Sequence, residues 1–328
     1  MEERNVIKVD LLLIKQTENA KCFQRIANHK LKGKRAFETV VEKEMSQMER
    51  YPLEMSHLPE CFLEKAKKEL NEVPEQRTEE LRKFKEMLST DKTFAGIDFE
   101  DDFLWLFLRH AKHDSSRALT HLRNLIKFRR NYSHLFQSIE DGFFHSSPST
   151  QCFSILPKRT SDGCSVILIE VGKWDPEEFP LEHFKRMFIF VILQTLRDPV
   201  TQINGFKIIQ DYKDTNMKHL KCCTPQNIYL EYHLGMNCVP GRYREIHFIN
   251  GSMVLTLFWS IAKLLFPKKI KQRVMFHSKP EDLLNFFPPD MIPTQWGGTL
   301  TDYHDENLLK KMNKEHGSYP IGGPKNYF

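Results

Sequence analysis

The sequence has no apolar run long enough to span a membrane. Near the N-terminus, a three-leucine run is followed only by Ile14 and then by Lys15, which is shorter than the apolar core of a secretory signal peptide. A transmembrane helix needs about 20 consecutive, mostly apolar residues. We therefore expect a cytoplasmic protein whose contact with membranes is peripheral and transient.

Cysteine is sparse and follows no pattern. Seven cysteines are present, an odd number without C-x-x-C spacing, which is typical of reduced intracellular thiols rather than of a disulfide framework. Four histidines, His110, His113, His121 and His134, have no H-x-x-x-H or cysteine partner at zinc-binding spacing. We expect neither a metal site nor another cofactor.

The fingerprints of nucleotide-binding and hydrolytic enzymes are also missing. No Gly-rich turn follows a predicted strand, and no G-x-S-x-G elbow occurs. Asp211 ends a predicted strand, and His219 with Cys222 or Cys223 could form a nucleophilic pair. Nothing in the spacing requires that pair, and a capping aspartate with core cysteines is the simpler interpretation. We do not expect an enzyme.

Excess positive charge is small overall but concentrated in one segment. The formal net charge is +5 at pH 7, which argues against a dedicated nucleic-acid-binding protein. Residues 242–273, however, contain seven Lys or Arg and a single acid, Glu245. Where the cations lie is therefore more informative than their sum.

The same segment contains an apolar helix, predicted at residues 252–266. Its polar residues, Ser252, Thr256, Ser260 and Lys263, fall in one narrow stripe at 3.6 residues per turn. With cations on both sides, this pattern is typical of a surface that meets anionic lipid headgroups. The alternative is a core helix whose basic end is solvated.

The remaining pattern predicts an α/β protein with an all-helical first part. Amphipathic helices recur from Pro59 to Phe136, and alternating strands and helices follow, which indicates a mostly parallel sheet with flanking helices. We expect four segments: a poorly ordered N-terminal extension (residues 1–54), a helical domain (55–140), an α/β domain (145–304), and a polar, disordered C-terminal tail (305–328).

An ordered series of short segments resembles one known family. GFKIIQDYK, TPQNIYLEYH, VPGRYREIHFIN, KKIKQRVMFHS and IPTQWGG are similar, in this order, to the CRAL-TRIO lipid-binding domain. The upstream KELNEVPEQRTEELRKFK and FLWLFLRHAKHDSSRAL resemble the helical domain that precedes it. The similarity covers about residues 55–300. It is strongest to the branch that holds alpha-tocopherol transfer protein, cellular retinaldehyde-binding protein and their arthropod relatives.

The resemblance implies a hydrophobic cavity that the sheet floors and a mobile gate helix closes, within residues 250–273. It places a phosphoinositide headgroup on Arg242, Arg244, Lys269 and Arg273, with Lys271 adjacent. It also implies a set of cavity-lining residues, the last three of them on the gate helix: Phe206, Ile208, Gln210, Cys223, Leu234, Tyr243, Val254, Phe258 and Ile261.

Two departures from the family pattern affect this site. Ser252 stands where a proline is usual, which implies a different hinge for the gate helix. Gln210 and Tyr243 make the implied cavity more polar, so the ligand can differ from tocopherol.

The function implied is intracellular binding and transfer of a small hydrophobic ligand, such as a tocopherol or retinoid, with release at membranes through the basic residues. A monomer without a nucleic-acid partner is expected. Two alternatives remain open. The protein could exchange phosphatidylinositol or another phospholipid, or it could be a lipid-responsive adaptor that binds a partner through its N-terminal extension.

Overall fold

The computed structural model describes residues 58–318, so the predicted N-terminal extension and the last ten residues lie outside the described part. The first part of the described chain is helical, as predicted. Its four main helices are α1 (Glu60–Leu70), α2 (Arg77–Ser89), α3 (Asp101–His110) and α4 (Ser115–Asn131).

The helical region buries the apolar positions that the sequence pattern predicts. Leu81, Phe84 and Leu88 recur at helical spacing along α2, and all three are buried. The apolar helix α3 is buried from Phe103 to Arg109. Helix α4 begins after Asp114, whose side chain accepts a hydrogen bond from the backbone N–H of Arg117 and so caps the first turn.

A five-stranded sheet follows, in the spatial order β1-β2-β3-β4-β5. The antiparallel pair β1 and β2 is joined through a turn with the sequence TSDG, and all later neighbours are parallel. The fold class is therefore confirmed. The strands are β1 (Phe153–Ile155), β2 (Ser165–Glu170), β3 (Phe206–Asp211), β4 (Tyr243–Ile249) and β5 (Val274–Phe276).

Short and long helices connect and cover the strands. Thr224 caps the helix that begins at Pro225, because its hydroxyl accepts the backbone N–H of Asn227. These helices are α5 (Asp141–Ser146), α6 (Leu181–Thr195), α7 (Pro199–Asn204), α8 (Met217–Cys222), α9 (Pro225–His233), α10 (Met253–Leu265), α11 (Lys268–Lys271) and α12 (Glu306–Ser318).

Helix α12 corrects the expectation of a disordered C-terminal tail. Leu309 and Met312 are buried in the main core, at the i, i+3 spacing of one helix face. The side-chain amide of Asn313 also accepts a hydrogen bond from the backbone N–H of Ile139 and donates one to the backbone carbonyl of Ile139, both at 2.8 Å. These contacts fix the segment although its composition is polar.

Alternation along the strands divides the apolar core between the two faces of the sheet. Ile167, Ile169 and Ile208 belong to the large cluster shared with the helices. Val166, Leu168 and Ile209 face a smaller cluster formed with residues of the segment 283–296. The candidate site lies on the helix-covered face.

Candidate functional site

Helix α10 lies at the surface rather than in the core. The hydroxyl of Ser252 caps it by accepting the backbone N–H of Leu255 at 3.2 Å, and it also receives a hydrogen bond from the Thr215 hydroxyl at 2.9 Å. Only three of its thirteen residues are buried. Met253 is 71% exposed and Leu264 is 77% exposed. The core-helix alternative is therefore wrong, and α10 presents apolar side chains to its outer side.

A cavity of about 80 Å³ lies beneath α10. Strands β2 and β3 provide its floor, and helices α6, α8, α9 and α10 provide its walls. Most of the lining is apolar and aromatic, as in small-molecule sites. Its apolar side chains include Ile169, Val171, Trp174, Phe184, Phe188, Val254 and Phe258.

Four of the residues predicted to line the cavity do so. Gln210 contributes from β3, Cys223 from the turn before α9, and Val254 and Phe258 from α10. The other five predicted residues are not part of this lining. Phe206, Ile208, Leu234 and Tyr243 are buried in the adjoining core, and Ile261 is half-buried on α10.

Glu231 is a lining residue that the sequence analysis missed. It lies on α9 one turn after Asn227 and Ile228, which also line the cavity. Their i, i+3 and i+4 spacing places the three on one helix face, a signal that was present in the sequence. Burial raises the pKa of the Glu231 carboxyl to about 7, although the nearby Lys185 ammonium opposes the shift.

The cysteines and His219 do not form a nucleophilic pair. The His219 ring accepts the backbone N–H of Asn216 at 3.1 Å and donates to the carbonyl of Trp174 at 2.8 Å, so both nitrogens are engaged. Burial raises the pKa of the Cys222 thiol, and that of Cys223 to about 11. A thiol in this state is a poor nucleophile at neutral pH.

Asp211 has the capping role that the simpler interpretation assigned to it. Its carboxylate accepts the backbone N–H of Lys213 and the side-chain amide of Asn250, both at 2.8 Å. Burial raises its pKa despite these two hydrogen bonds. The residue thus fixes the loop after β3 to the loop after β4.

The predicted basic residues converge beside α10. The guanidinium of Arg242 donates to the carbonyls of Arg109 and His110, at 2.5 and 3.1 Å. Arg244 donates to the carbonyl of Asn204 at 2.7 Å. Backbone carbonyls therefore hold these two side chains in place, and these contacts do not themselves neutralise the charge.

Further contacts complete this arrangement. The guanidinium of Arg273 donates to the Tyr243 carbonyl, and Arg244 forms an ion pair with the exposed Glu69 at 3.2 Å. Lys271 is exposed on the short helix α11, two residues after Lys269.

Mutual repulsion shows that these cations lie close together. The Arg273 charge is the main cause that lowers the pKa of Lys269, and Lys112, Arg242 and Arg244 add to the effect. Burial, with the charge of Arg244, lowers the pKa of Arg242 to about 10. Lys112, which the sequence analysis missed, lies in the turn after α3. We call Lys112, Arg242, Arg244, Lys269 and Arg273 the basic cluster.

Neither a membrane span nor a metal site is found in the described part of the chain. No helix within residues 58–318 has the length and hydropathy to cross a bilayer. In the same range, no three His, Cys, Asp or Glu side chains converge in a way that could hold a metal ion.

Known proteins match most of this chain. Alpha-tocopherol transfer protein-like from Homo sapiens is 26% identical over 243 residues, which are 74% of this chain and 71% of that protein. Clavesin-1 from Xenopus laevis is 24% identical over 289 residues, which are 81% of this chain and 85% of that protein. The crystal structure of Sfh5 is similar over 79% of this chain and 93% of its own, at 13% identity and a TM-score of 0.44.

The family match covers the sheet, the cavity and the basic residues from Arg242 to Arg273. Residues 150–298 match the CRAL/TRIO domain, which begins just before β1 and ends after the turn at Trp296. This match confirms the resemblance that the sequence segments indicated: residues 150–298 match the CRAL/TRIO domain, and a helical region precedes them.

Proposed function

We propose that this protein binds a small hydrophobic ligand, tocopherol-like or retinoid-like, and releases it at membranes that carry phosphoinositides. The CRAL/TRIO domain and the relatives support lipid binding and transfer in general. The observation that carries the finer proposal is one juxtaposition. An apolar cavity, an outward-facing apolar helix and a basic cluster in which Arg244 alone has a carboxylate partner among the described residues all meet at α10 and α11.

The cavity must widen to hold such a ligand. Its volume is about 80 Å³, whereas pockets for small molecules of drug size measure roughly 300–1,000 Å³. Helix α10 is the wall best suited to move, because few of its residues are buried. Each Å² of apolar ligand surface that the cavity removes from water then contributes about 25 cal/mol to binding.

Membrane contact would supply the force that moves α10. Exposed Met253 and Leu264 can enter the interfacial region of a bilayer, while the basic cluster meets phosphate groups. Arginine is suited to this role because its planar guanidinium forms paired hydrogen bonds with phosphate oxygens. A headgroup with several phosphates matches several cations at once, which favours a phosphoinositide.

The test is ligand transfer between vesicles with and without a phosphoinositide. Replacing Lys269 and Arg273 by Glu should slow transfer to phosphoinositide vesicles by about tenfold or more, since each basic residue near an anionic surface is worth about 1 kcal/mol. Ligand affinity should change little. Because Arg273 also holds a backbone carbonyl, the exposed pair Lys112→Glu with Lys269→Glu serves as a second variant.

A matched control has the same change in charge outside the basic cluster. Lys92→Glu with Lys279→Glu alters two exposed lysines and should leave transfer nearly unchanged. Equal slowing by the control would show that net charge alone matters, and loss of ligand affinity in the cluster variants would contradict a separate membrane-binding role.

Native mass spectrometry followed by organic extraction addresses the ligand and the oligomeric state. One bound apolar molecule per monomeric chain supports the proposal. A bound phosphatidylinositol would favour the phospholipid exchanger instead. A chain that takes up neither class would favour the adaptor, whose N-terminal extension lies outside the described residues. In all three cases we place the protein in the cytoplasm, transiently on membranes, and assign it no reaction.

A further inference from the structure

One polar group of the cavity is left without a partner. Among the residues described by the structure, no hydrogen bond or ion pair involves the Glu231 carboxyl, although it lines an otherwise apolar wall. Asn227, by contrast, is fully engaged. The Asn227 amide accepts from the Lys185 ammonium at 2.8 Å and donates to the carbonyl of Cys222 at 2.9 Å.

Gln210 also lines the cavity, and only one end of its side-chain amide has a hydrogen-bond partner. Its amide oxygen accepts the hydroxyl of Tyr212 at 2.9 Å, and its amide nitrogen has no hydrogen-bond partner in the described structure. The Glu231 charge also acts on Tyr212, so the two polar groups belong to one neighbourhood. The cavity therefore offers one acceptor and one donor in an apolar surrounding.

The electrostatic surroundings of Glu231 limit the chemistry of what can bind there. Four titratable groups interact with it: Lys185 on α6, Tyr212 after β3, and Cys222 and Cys223 before α9. On α10, the side chains facing the cavity are the apolar Val254 and Phe258. Lys185 is thus the one cation of this group.

We infer that the cavity takes an apolar molecule with a single terminal hydroxyl, whose hydrogen bond Glu231 accepts. The inference rests on the proposed function and specifies its ligand class. A hydrocarbon or an ether has no proton to donate, so it would leave the half-buried Glu231 carboxyl, in its ionised form, without a partner, which is costly. A carboxylate ligand would be repelled by the negative charge of Glu231. A protonated amine would be repelled by the positive charge of Lys185 and would also have to lose its hydration.

The test compares matched ligands that differ only in the hydroxyl. Retinol, α-tocopherol and farnesol are each titrated beside their methyl ethers, and affinity is followed by ligand fluorescence or calorimetry. The wild-type protein should bind each alcohol roughly tenfold to a hundredfold more tightly than its methyl ether. This ratio corresponds to the usual cost of leaving a buried hydrogen bond unmade.

Two substitutions at one position isolate the carboxyl. Glu231→Leu should reduce the alcohol-to-ether ratio to near one, and Glu231→Gln, which keeps the shape and a hydrogen-bonding group, should retain most of it. Gln226→Leu, at an exposed position of the same helix, should behave as wild type. Each variant should show a cooperative unfolding transition, so that a lower alcohol-to-ether ratio cannot be explained by a loss of folding.

The outcomes separate this inference from the proposed function. Equal binding of alcohols and ethers by the wild-type protein would overturn the hydroxyl inference while leaving a lipid carrier. The same ratio in wild type and Glu231→Leu would also overturn it. Binding of no member of the panel, alcohol or ether, would overturn the carrier proposal itself, and the inference with it.

Discussion

The two faces of the sheet show what distinguishes a structural core from a binding site. On the face away from α10, Val166, Leu168 and Ile209 pack against the segment 283–296, where Phe287 and Trp296 are buried. We call this the sealed face. On the other face, the cavity face, aromatic side chains surround free volume, and the two polar residues Gln210 and Glu231 lie among them.

The segment that covers the sealed face is tightly folded on itself. The N–H groups of Trp296 and Gly298 both donate to the carbonyl of Pro293, at 2.9 and 3.2 Å. A Cβ atom on Gly298 would lie 1.9 Å from the carbonyl oxygen of Ile292, so only glycine fits there. Compact turns thus cover the sealed face, whereas helices cover the cavity face, where a cavity of about 80 Å³ remains.

The largest expected effect on stability comes from a substitution in the sealed face. Trp296 is 2% exposed, and its replacement by Ala should lower the free energy of unfolding by about 3–5 kcal/mol, because it leaves a cavity in a close-packed region. Urea unfolding measures the change. Leu264→Ala, at an exposed position of α10, is the control and should cost less than about 0.5 kcal/mol. A loss below about 1 kcal/mol for Trp296→Ala would show that the sealed face is not closely packed.

A second prediction concerns Glu231 on the cavity face. Here the substitution is expected to raise the free energy of unfolding rather than to lower it. Burial raises the pKa of Glu231 from 4.5 to about 7, so between these values the folded protein holds a proton that the unfolded chain has lost. Stability is therefore lost as pH rises through that window. Glu231→Gln cannot ionise. It should raise the free energy of unfolding by about 1–3 kcal/mol at pH 8 and by little at pH 5.

Urea unfolding at the two pH values tests this second prediction. Glu182→Gln, at an exposed position of α6, is the matched control and should show no such difference between pH 5 and pH 8. A gain in the Glu231→Gln variant that is equal at both pH values would mean that the carboxyl does not ionise across this range.

The contrast between the faces also explains which features the sequence could predict. Strand alternation and helix capping are local, so the strands and the helix start at Thr224 and Pro225 follow from the sequence pattern. The sealed face follows only in part from this pattern, because beside Ile209 it also carries the polar Lys207 and His247, which lie near the Phe287 ring. Helix α12 was missed because its stretch is polar apart from Leu308, Leu309 and Met312, and the core that these residues join is formed by residues far away in the chain.

Membership of the cavity lining depends on packing that no local pattern contains. Phe206 and Ile208 share a strand face with Gln210, yet only Gln210 reaches the free volume. The packing of the helices on the sheet determines which residue of a strand lines the cavity. Glu231 was missed for a related reason: a charged residue in a helix is usually solvated, and only the tertiary structure turns it inward.

The smallest expected effect on stability tests whether the cavity face is as loosely packed as its volume indicates. Phe258 is half-buried on α10 and lines the cavity, with its ring centroid 6.5 Å from that of Tyr212 and 6.2 Å from that of Phe248. Its replacement by Ala should cost about 1 kcal/mol in urea unfolding, because only part of the ring is removed from water.

The Phe258→Ala variant should also bind bulkier hydrophobic ligands better than wild type, whereas Met253→Ala on the outer side of α10 should not. A loss as large as that of Trp296→Ala, without any change in ligand preference, would mean that α10 seals its face of the sheet as firmly as the opposite side is sealed, and would leave the protein without a wall that can open.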